Sequence, residues 1–398
     1  MLKNTKETSF IEFVALMALL ISLTALSIDT MLPALPLIGK DLGAVGDNTP
    51  QYIVVFLFLG FTLGQIFYGP MSDSFGRKHS IYIGITIFII GSIISVTAQN
   101  FPIMLAGRFL QGIGVAAPRI ISTAMIRDRY KGQEMARVMS FIMSIFILVP
   151  AIAPTLGQAI LMVSNWRMIF AVLLGVSVLV LIWIYFRLPE TLPQERRTPF
   201  KLKTILSGVR EVITHRLAFG YTICTGLIFA MLIGYLNSAQ QIFQEYYNTG
   251  DMFPLYFGII ALSLGIASLV NSYIVKIMAM QNICHYSLIA IIIVSGSFLA
   301  LNSLSDQQQP LWQFMIYAVI VFFFLGLLFG NVNAIAMEHM GHIAGVASTT
   351  ISVLSSAISL ALGTIIGQFY AGTPIPIIFS FLLLSSLTFL LQILINRK

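Results

Sequence analysis

Charge is what this sequence has least of. Only 9% of its 398 residues are Asp, Glu, Lys or Arg, against 58% hydrophobic ones, and the mean hydropathy is +0.92. Soluble domains carry roughly 25% charge. Too few ionised groups remain to wet a soluble protein of this size, so a bilayer is the expected solvent. Cysteine is nearly missing. Cys224 and Cys284 are too few for a disulfide scaffold or a cysteine metal cluster. Both lie in apolar runs, where small packing residues belong. No cleavable leader is expected, because the first apolar run is too long, holds an acid and lacks a small-residue cleavage site. The three tryptophans, Trp166, Trp183 and Trp312, fall near the ends of apolar runs, as in an aromatic belt.

What is abundant is apolar length. Runs of about 20 residues cross roughly 30 Å of hydrocarbon, and they must be helical because lipid cannot satisfy open strand edges. Twelve are present, at 11–38, 50–71, 80–98, 102–126, 136–160, 167–187, 217–244, 253–275, 284–304, 311–336, 343–370 and 374–395. The longest connection, about 188–216, begins with Leu188-Pro189-Glu190-Thr191. Thr198-Pro199 reads as a helix start. After it Leu202, Ile205, Leu206, Val209, Val212 and Ile213 share a face that Lys201, Lys203 and Arg210 avoid, the pattern of a basic amphipathic helix on the inner leaflet. This predicts an all-α integral membrane protein of twelve transmembrane helices in two pseudo-symmetric six-helix bundles. The bundles would occupy 1–190 and 217–398, joined by a linker at 191–216. Such halves place a solute site near the bilayer midplane between them.

The net charge of +7 and pI near 9.4 invite a nucleic-acid reading. The positions of the cations argue against it. With a cytoplasmic N-terminus, 18 of the 22 Lys and Arg fall on the inner side and only Lys40 and Arg167 outside, which is the positive-inside pattern. Arg108 and Arg119 lie within the fourth span. The expectation is a multi-pass protein of a bacterial inner membrane with both termini cytoplasmic, a lipid bilayer for a partner and no nucleic acid.

One acid, Asp29, stands inside the first span, ahead of Pro33 and Pro36. A charge in hydrocarbon costs on the order of 3 kcal/mol even on insertion scales. A chain keeps it when the group titrates or binds. Arg108 should lie at comparable depth, since its helix enters from the other side. Ser22 shares the face of Asp29, and Gln111 that of Arg108. Arg119 is three turns on and returns to nearly the same face. The expectation is a coupled set in which Arg108 holds Asp29 ionised when near and releases it to be neutral when far.

The stretch Gly69-Pro70-Met71-Ser72-Asp73-Ser74-Phe75-Gly76-Arg77-Lys78 resembles the major facilitator superfamily signature G-x-L-a-D-r-x-G-r-k. Gly69, Asp73, Gly76, Arg77 and Lys78 match, while Met71 and Ser74 depart from it. The resemblance implies that Asp73 meets the start of the eleventh helix near 341–344 and that Arg77 pairs with Asp128, contacts that favour the cytoplasmically closed state. Arg108-Phe109-Leu110-Gln111-Gly112-Ile113-Gly114 resembles that family's fourth-helix motif, whose arginine is implicated in proton transfer. Ala153-Pro154-Thr155-Leu156-Gly157-Gln158 keeps one proline and one glycine of its antiporter motif, and Pro150 precedes it by a turn. Pro33, Pro36, Pro150 and Pro154 are thus the expected bend points. Asp29 through Pro36, with Arg127-Asp128, is similar to drug-resistance transporters of the bicyclomycin/chloramphenicol type.

The resemblance implies a proton-coupled secondary active transporter working by alternating access. It would export small amphipathic molecules such as drugs as a monomer, with protons as coupling ion and no other cofactor. A dedicated exporter of one metabolite, such as a siderophore, is the alternative. Substrate contacts are expected from Ser22, Gln111, Arg119, Tyr235, Asn237, Gln240, Asn331 and Asn333, with Gln241 and Asn271 beside them. No catalytic constellation appears, so an enzyme is not expected. Glu338, His339 and His342 have spacing compatible with a metal, but a loop and cap role is the expectation and no metal site is assigned.

Overall fold

The computed structural model describes residues 9–197, 202–304 and 309–397. Among them there are helices and no strands. The first run becomes α1 (Phe10–Asp29), a 3-10 turn (Leu32–Ala34) and α2 (Leu35–Asp41). Then come α3 (Tyr52–Phe75), α4 (Arg77–Val96), α5 (Phe101–Arg129), α6 (Gly132–Val163) and α7 (Trp166–Arg187). A short helix, α8 (Leu202–Thr214), precedes α9 (Arg216–Gln240), α10 (Phe253–Ile274), α11 (Met280–Ser303), α12 (Leu311–Met337), α13 (Ala344–Gln368) and α14 (Ile375–Asn396). Every predicted apolar run coincides with a helix. Eleven are long and apolar enough throughout to cross a bilayer. The twelfth is α6, which spans 32 residues and holds an apolar stretch at Leu148–Val163 among its described residues.

The chain forms two compact units, Met1–Leu202 and Lys203–Lys398. Within the first, α1 packs on α5, α6 and α7; α3 and α4 pack on α5; and α4 packs on α7. Within the second, α9 packs on α12, α13 and α14; α10 and α11 pack on α12; and α11 packs on α14. Counted from one to six in each unit, these are the same pairs. Two bundles of one internal plan are therefore present.

Close approach rests on small residues, as it must where lipid supplies no hydrophobic drive between helices. A Cβ on Gly60 of α3 would lie 2.0 Å from the Phe109 carbonyl of α5, and one on Gly112 of α5 would lie 2.0 Å from the Leu57 carbonyl of α3. The two backbones touch, and that contact sets Arg108 against α3.

Polar ties close the ends of the first unit. Glu12 of α1 accepts from Arg187 at 2.6 and 2.5 Å and from Trp183 Nε1 at 3.2 Å, bolting α1 to α7. At the other end Asp41 of α2 accepts from Trp166 Nε1 at 2.9 Å and Arg167 at 2.8 Å. Two of the belt tryptophans thus hold carboxylates too. Trp312 is outward-facing and exposed.

The linker expected at 191–216 does not stand apart. Thr191 turns back to Asp128 at 3.3 Å, inside the first unit. Helix α8 belongs to the second unit. A Cβ on its Gly208 would meet Val346 of α13 at 2.6 Å, and Val212 is fully buried, while Leu206 is 57% exposed. The apolar face expected to rest wholly on the leaflet is therefore shared between protein and surroundings, because Gly208 lets α8 dock. The Thr198-Pro199 start, Lys201, Lys3, Lys6 and Lys398 lie outside the described residues, as do the side chains of Leu202, Lys203 and Ile205.

Candidate functional site

Asp29 is the last residue of α1. The helix ends there because the next turn holds Pro33, which has no N–H to donate and stands at the start of the 3-10 turn. Pro36 likewise opens α2. The two prolines divide the first span into two helices. Pro150 and Pro154, by contrast, lie inside α6, which stays helical through both. Asp29 is 4% exposed and makes no hydrogen bond or ion pair among the described residues. It stands at the negative end of its own helix dipole. Ser22, two turns earlier on the same face, is also buried, and its hydroxyl has no partner among the described residues.

Arg108 is fully buried. Its Nη2 donates to the Ser27 carbonyl of α1 at 2.8 Å, its Nε to the Ile53 carbonyl of α3 at 3.2 Å, and its Nη1 to Gln111 Oε1 at 2.6 Å. The guanidinium lies 5.6 Å from the Phe170 ring of α7. Gln111 passes the chain on by donating to Ser92 Oγ of α4 at 2.8 Å. Arg108 and Gln111 together therefore tie five helices. The expected Asp29–Arg108 pair is not formed, with no oxygen of Asp29 within 4.0 Å of Arg108. The physical reason is plain: the broken end of α1 offers a carbonyl two residues before Asp29, and each of the three guanidinium nitrogens is already engaged by a carbonyl or an amide oxygen. Arg119 diverges as well. Its guanidinium lies 5.0 Å from the Phe146 ring of α6, so the two cations of α5 serve different neighbours.

A second cluster sits at the opposite end of α1. Gly76 links α3 to α4 with φ +102°, which only glycine adopts without strain, and a Cβ there would also lie 2.6 Å from Glu190 Oε2. Arg77 is buried. Its Nε donates to Asp128 Oδ2 at 2.9 Å, and its Nη1 donates to Asp73 Oδ1 at 2.5 Å and Ser72 Oγ at 2.8 Å. The Arg77–Asp128 pair is the one the motif implied. Sequence reasoning passed over Glu190. Its carboxylate accepts from the backbone N–H groups of Arg77 at 3.0 Å and Lys78 at 3.1 Å, capping α4 from 112 residues away. A carboxylate in the Pro-Glu-Thr turn that follows Arg187 was the available signal.

The family model described as Major Facilitator Superfamily matches residues 17–364. The chain belongs to the major facilitator superfamily. It is 30% identical over 369 residues to an uncharacterized transporter of this superfamily, YdgK of Bacillus subtilis, covering 92% of this chain and 90% of that one. It is 28% identical to a bicyclomycin resistance protein homolog of Haemophilus influenzae, covering 95% and 94%. The multidrug resistance protein MdtL of Klebsiella pneumoniae is 29% identical over 55% of each chain. Among solved structures the xylose transporter XylE of E. coli superposes with a TM-score of 0.70 at 14% identity over 95% of both chains, a likeness of fold.

A major facilitator protein is a transporter and not an enzyme, and the eleven membrane-length apolar helices among the described residues make this one a multi-pass membrane protein. In its second unit the expected substrate residues separate. Asn331 donates to Asn271 Oδ1 at 2.7 Å and to the Leu327 carbonyl at 2.8 Å, so these two amides satisfy each other between α12 and α10. Asn333 is exposed on the outside of its helix. Tyr235 is packed between Phe257 and Phe322, with ring centroids at 5.7 and 4.6 Å. Gln240 donates to Gln244 at 3.1 Å, where α9 runs into a π-helical turn, Gln241–Tyr246, a feature often found at functional sites. Asn237 is buried with a free carbonyl oxygen and donates to the Gly363 carbonyl at 3.3 Å. His342 pairs with Glu211 at 2.6 Å, and His215 and His339 lie ring to ring at 5.4 Å. No group of three metal-binding side chains occurs among the described residues.

Proposed function

We propose that this transporter exports small amphipathic molecules, drugs among them, in exchange for protons by alternating access. The observation that carries the reading is Asp29: a buried acid with no ionic partner among the described residues, at a break in the first helix. An acid that no cation holds changes its protonation state without first breaking an ion pair. Arg108 grips the carbonyl two residues away, so it can report that change to α3, α4 and α7. Arg108 then acts as a positioning cation rather than a counter-ion in this state, and as the counter-ion once α1 shifts.

The drug-export half of the proposal is supported by the names of the relatives in Haemophilus and Klebsiella. Asn237, Gln240 and the π-helical turn beyond them are its best substrate contacts. In α9 they combine buried amides with the aromatic surroundings that broad-selectivity sites use. The chain works as a monomer in a bacterial inner membrane, with the end that carries Arg77, Asp128 and Glu190 in the cytoplasm, as its basic residues require.

The test is uptake of candidate drugs into proteoliposomes under an imposed pH gradient. The native protein should accumulate substrate. Asp29→Asn should lose gradient-driven accumulation by tenfold or more while retaining exchange of labelled for unlabelled substrate. Full pH-driven accumulation by Asp29→Asn, or dependence on sodium in place of protons, would overturn the coupling.

A further inference from the structure

We infer that the first unit holds a specific site for an anionic phospholipid, in a groove between α4 and α7. The groove has a volume of about 480 Å³ and is lined by Tyr82 and Thr86 of α4 and by Leu181, Ile182, Tyr185 and Phe186 of α7. Its walls are almost wholly apolar, as an acyl chain needs. Lys78 closes one end. Lys78, Tyr82 and Thr86 are spaced by four, so they form one stripe along α4. The ammonium lies 5.8 Å from the centre of the Tyr82 ring and donates to the Tyr185 carbonyl at 3.3 Å.

Charge selects the occupant. An ammonium has three donors, and the carbonyl takes one. No carboxylate lies within 4.0 Å of it among the described residues. The nearest acid, Glu190, is committed to the N–H groups of Arg77, Lys78 and Leu192. Arg187, the residue after Phe186, is paired with Glu12. The mouth therefore presents an ammonium that Glu190 acts on only through space and that no carboxylate oxygen reaches among the described residues, above an apolar slot flanked by Tyr82 and Tyr185. A phosphodiester on Lys78 with one acyl chain running past Thr86 and Leu181 satisfies both ends. A zwitterionic lipid would bring its own cation to the same place. Because Lys78 adjoins Arg77, lipid in this site would bear on the lock around Asp128.

Quenching by brominated phospholipid tests this without any transport assay, so its failure is separate from failure of the export reading. Phe186→Trp places a reporter on the groove wall, where the native ring is 66% exposed. Leu179→Trp places one on the same helix outside the groove, at a side chain 67% exposed. Both proteins carry phenylalanine in place of Trp166, Trp183 and Trp312, so that each has one tryptophan, and are reconstituted in vesicles of phosphatidylcholine mixed with brominated phosphatidylglycerol, or the reverse label. The reporter at 186 should prefer phosphatidylglycerol by roughly fivefold, which is what a single basic side chain contributes at an anionic surface. The reporter at 179 should show no preference. Adding Lys78→Gln to Phe186→Trp should bring the ratio to one, and Lys78→Arg should keep it. Equal quenching by both lipids at 186, the same preference at 179, or a preference that survives Lys78→Gln would each overturn the site.

Discussion

Gly157 offers the sharpest test of how the break in α1 is built. It lies on α6, and a Cβ added there would fall 1.8 Å from the carbonyl oxygen of Thr30, the residue after Asp29. Real Cβ contacts essentially never come below 3.0 Å, so Gly157→Ala must push α6 from α1 by more than 1 Å. The obstacle is a backbone carbonyl, which cannot rotate aside. Gly367 of α13 holds the corresponding place in the second unit, where the fifth helix meets the first. A Cβ there would lie 2.6 Å from Cβ of Asn237, which needs a smaller shift. Overpacking costs typically about 1–3 kcal/mol. Gly157→Ala should fall at the upper end and Gly367→Ala at the lower. At roughly 2–4 °C per kcal/mol for a unit of this size, the first should lower the melting temperature of the purified protein by several degrees and the second by a few at most. Gly157→Ala should also depress substrate transport, since it displaces the end of α1 that carries Asp29. Equal melting temperatures, or a greater loss from Gly367→Ala, would refute the reasoning.

The other variants probe single ties. Asn331→Leu alone should cost about 1–3 kcal/mol because it strands the Asn271 amide, and adding Asn271→Leu should recover most of it in a thermal-melt double-mutant cycle. Glu190→Ala should cost about 1–2 kcal/mol for the lost cap of α4, with Glu190→Gln intermediate, read by the same melt. Arg108→Lys keeps the charge but cannot reach the Ser27 and Ile53 carbonyls and Gln111 together. It should lower the melting temperature and leave less than a tenth of native transport, and near-native rates in vesicles would show that charge alone suffices.

The spans were legible because lipid imposes one rule, about 20 apolar residues per crossing, and that rule is written locally. The same holds for the Gly69–Lys78 turn, where Gly76 marks the forced φ and the charges mark the lock. What the sequence hid was partnership across distance. Glu190 reads as an ordinary loop acid until the fold brings it to the first N–H groups of α4. Asn271 and Asn331 look like two substrate ligands until they are found bonded to each other. Arg108 and Asp29 share a depth, so opposite charges were expected to pair. Depth does not say which oxygen a guanidinium meets first, and a proline-broken helix supplies carbonyls that a regular helix would have kept for itself. The docking of α8 was hidden for another reason: an amphipathic face looks the same whether protein or lipid covers it.

Two bundles of one plan do not make two equivalent halves. The fully or nearly buried charged side chains among the described residues are Asp29, Arg77 and Arg108, and all three are in the first unit. The second unit buries neutral amides and hydroxyls in their place. Where Gly157 meets the end of α1 beside Asp29, Gly367 meets Asn237. An amide and a carboxylic acid are close in size and shape, but only the acid can gain and lose a charge by taking up or releasing a proton. The common backbone plan therefore accounts for how each bundle holds together, while the difference at this one register separates their chemistry. The buried charges among the described residues are confined to the first unit, and neutral hydrogen-bonding groups are buried in the second. Exchanging the two, with Asp29→Asn and Asn237→Asp in one chain, asks whether the register itself suffices. Because no guanidinium is buried among the second unit's described residues to follow an acid at Asn237, the exchange should leave the protein folded by thermal melt yet unable to couple substrate to a pH gradient. Restored coupling would show that the Arg108 network is dispensable.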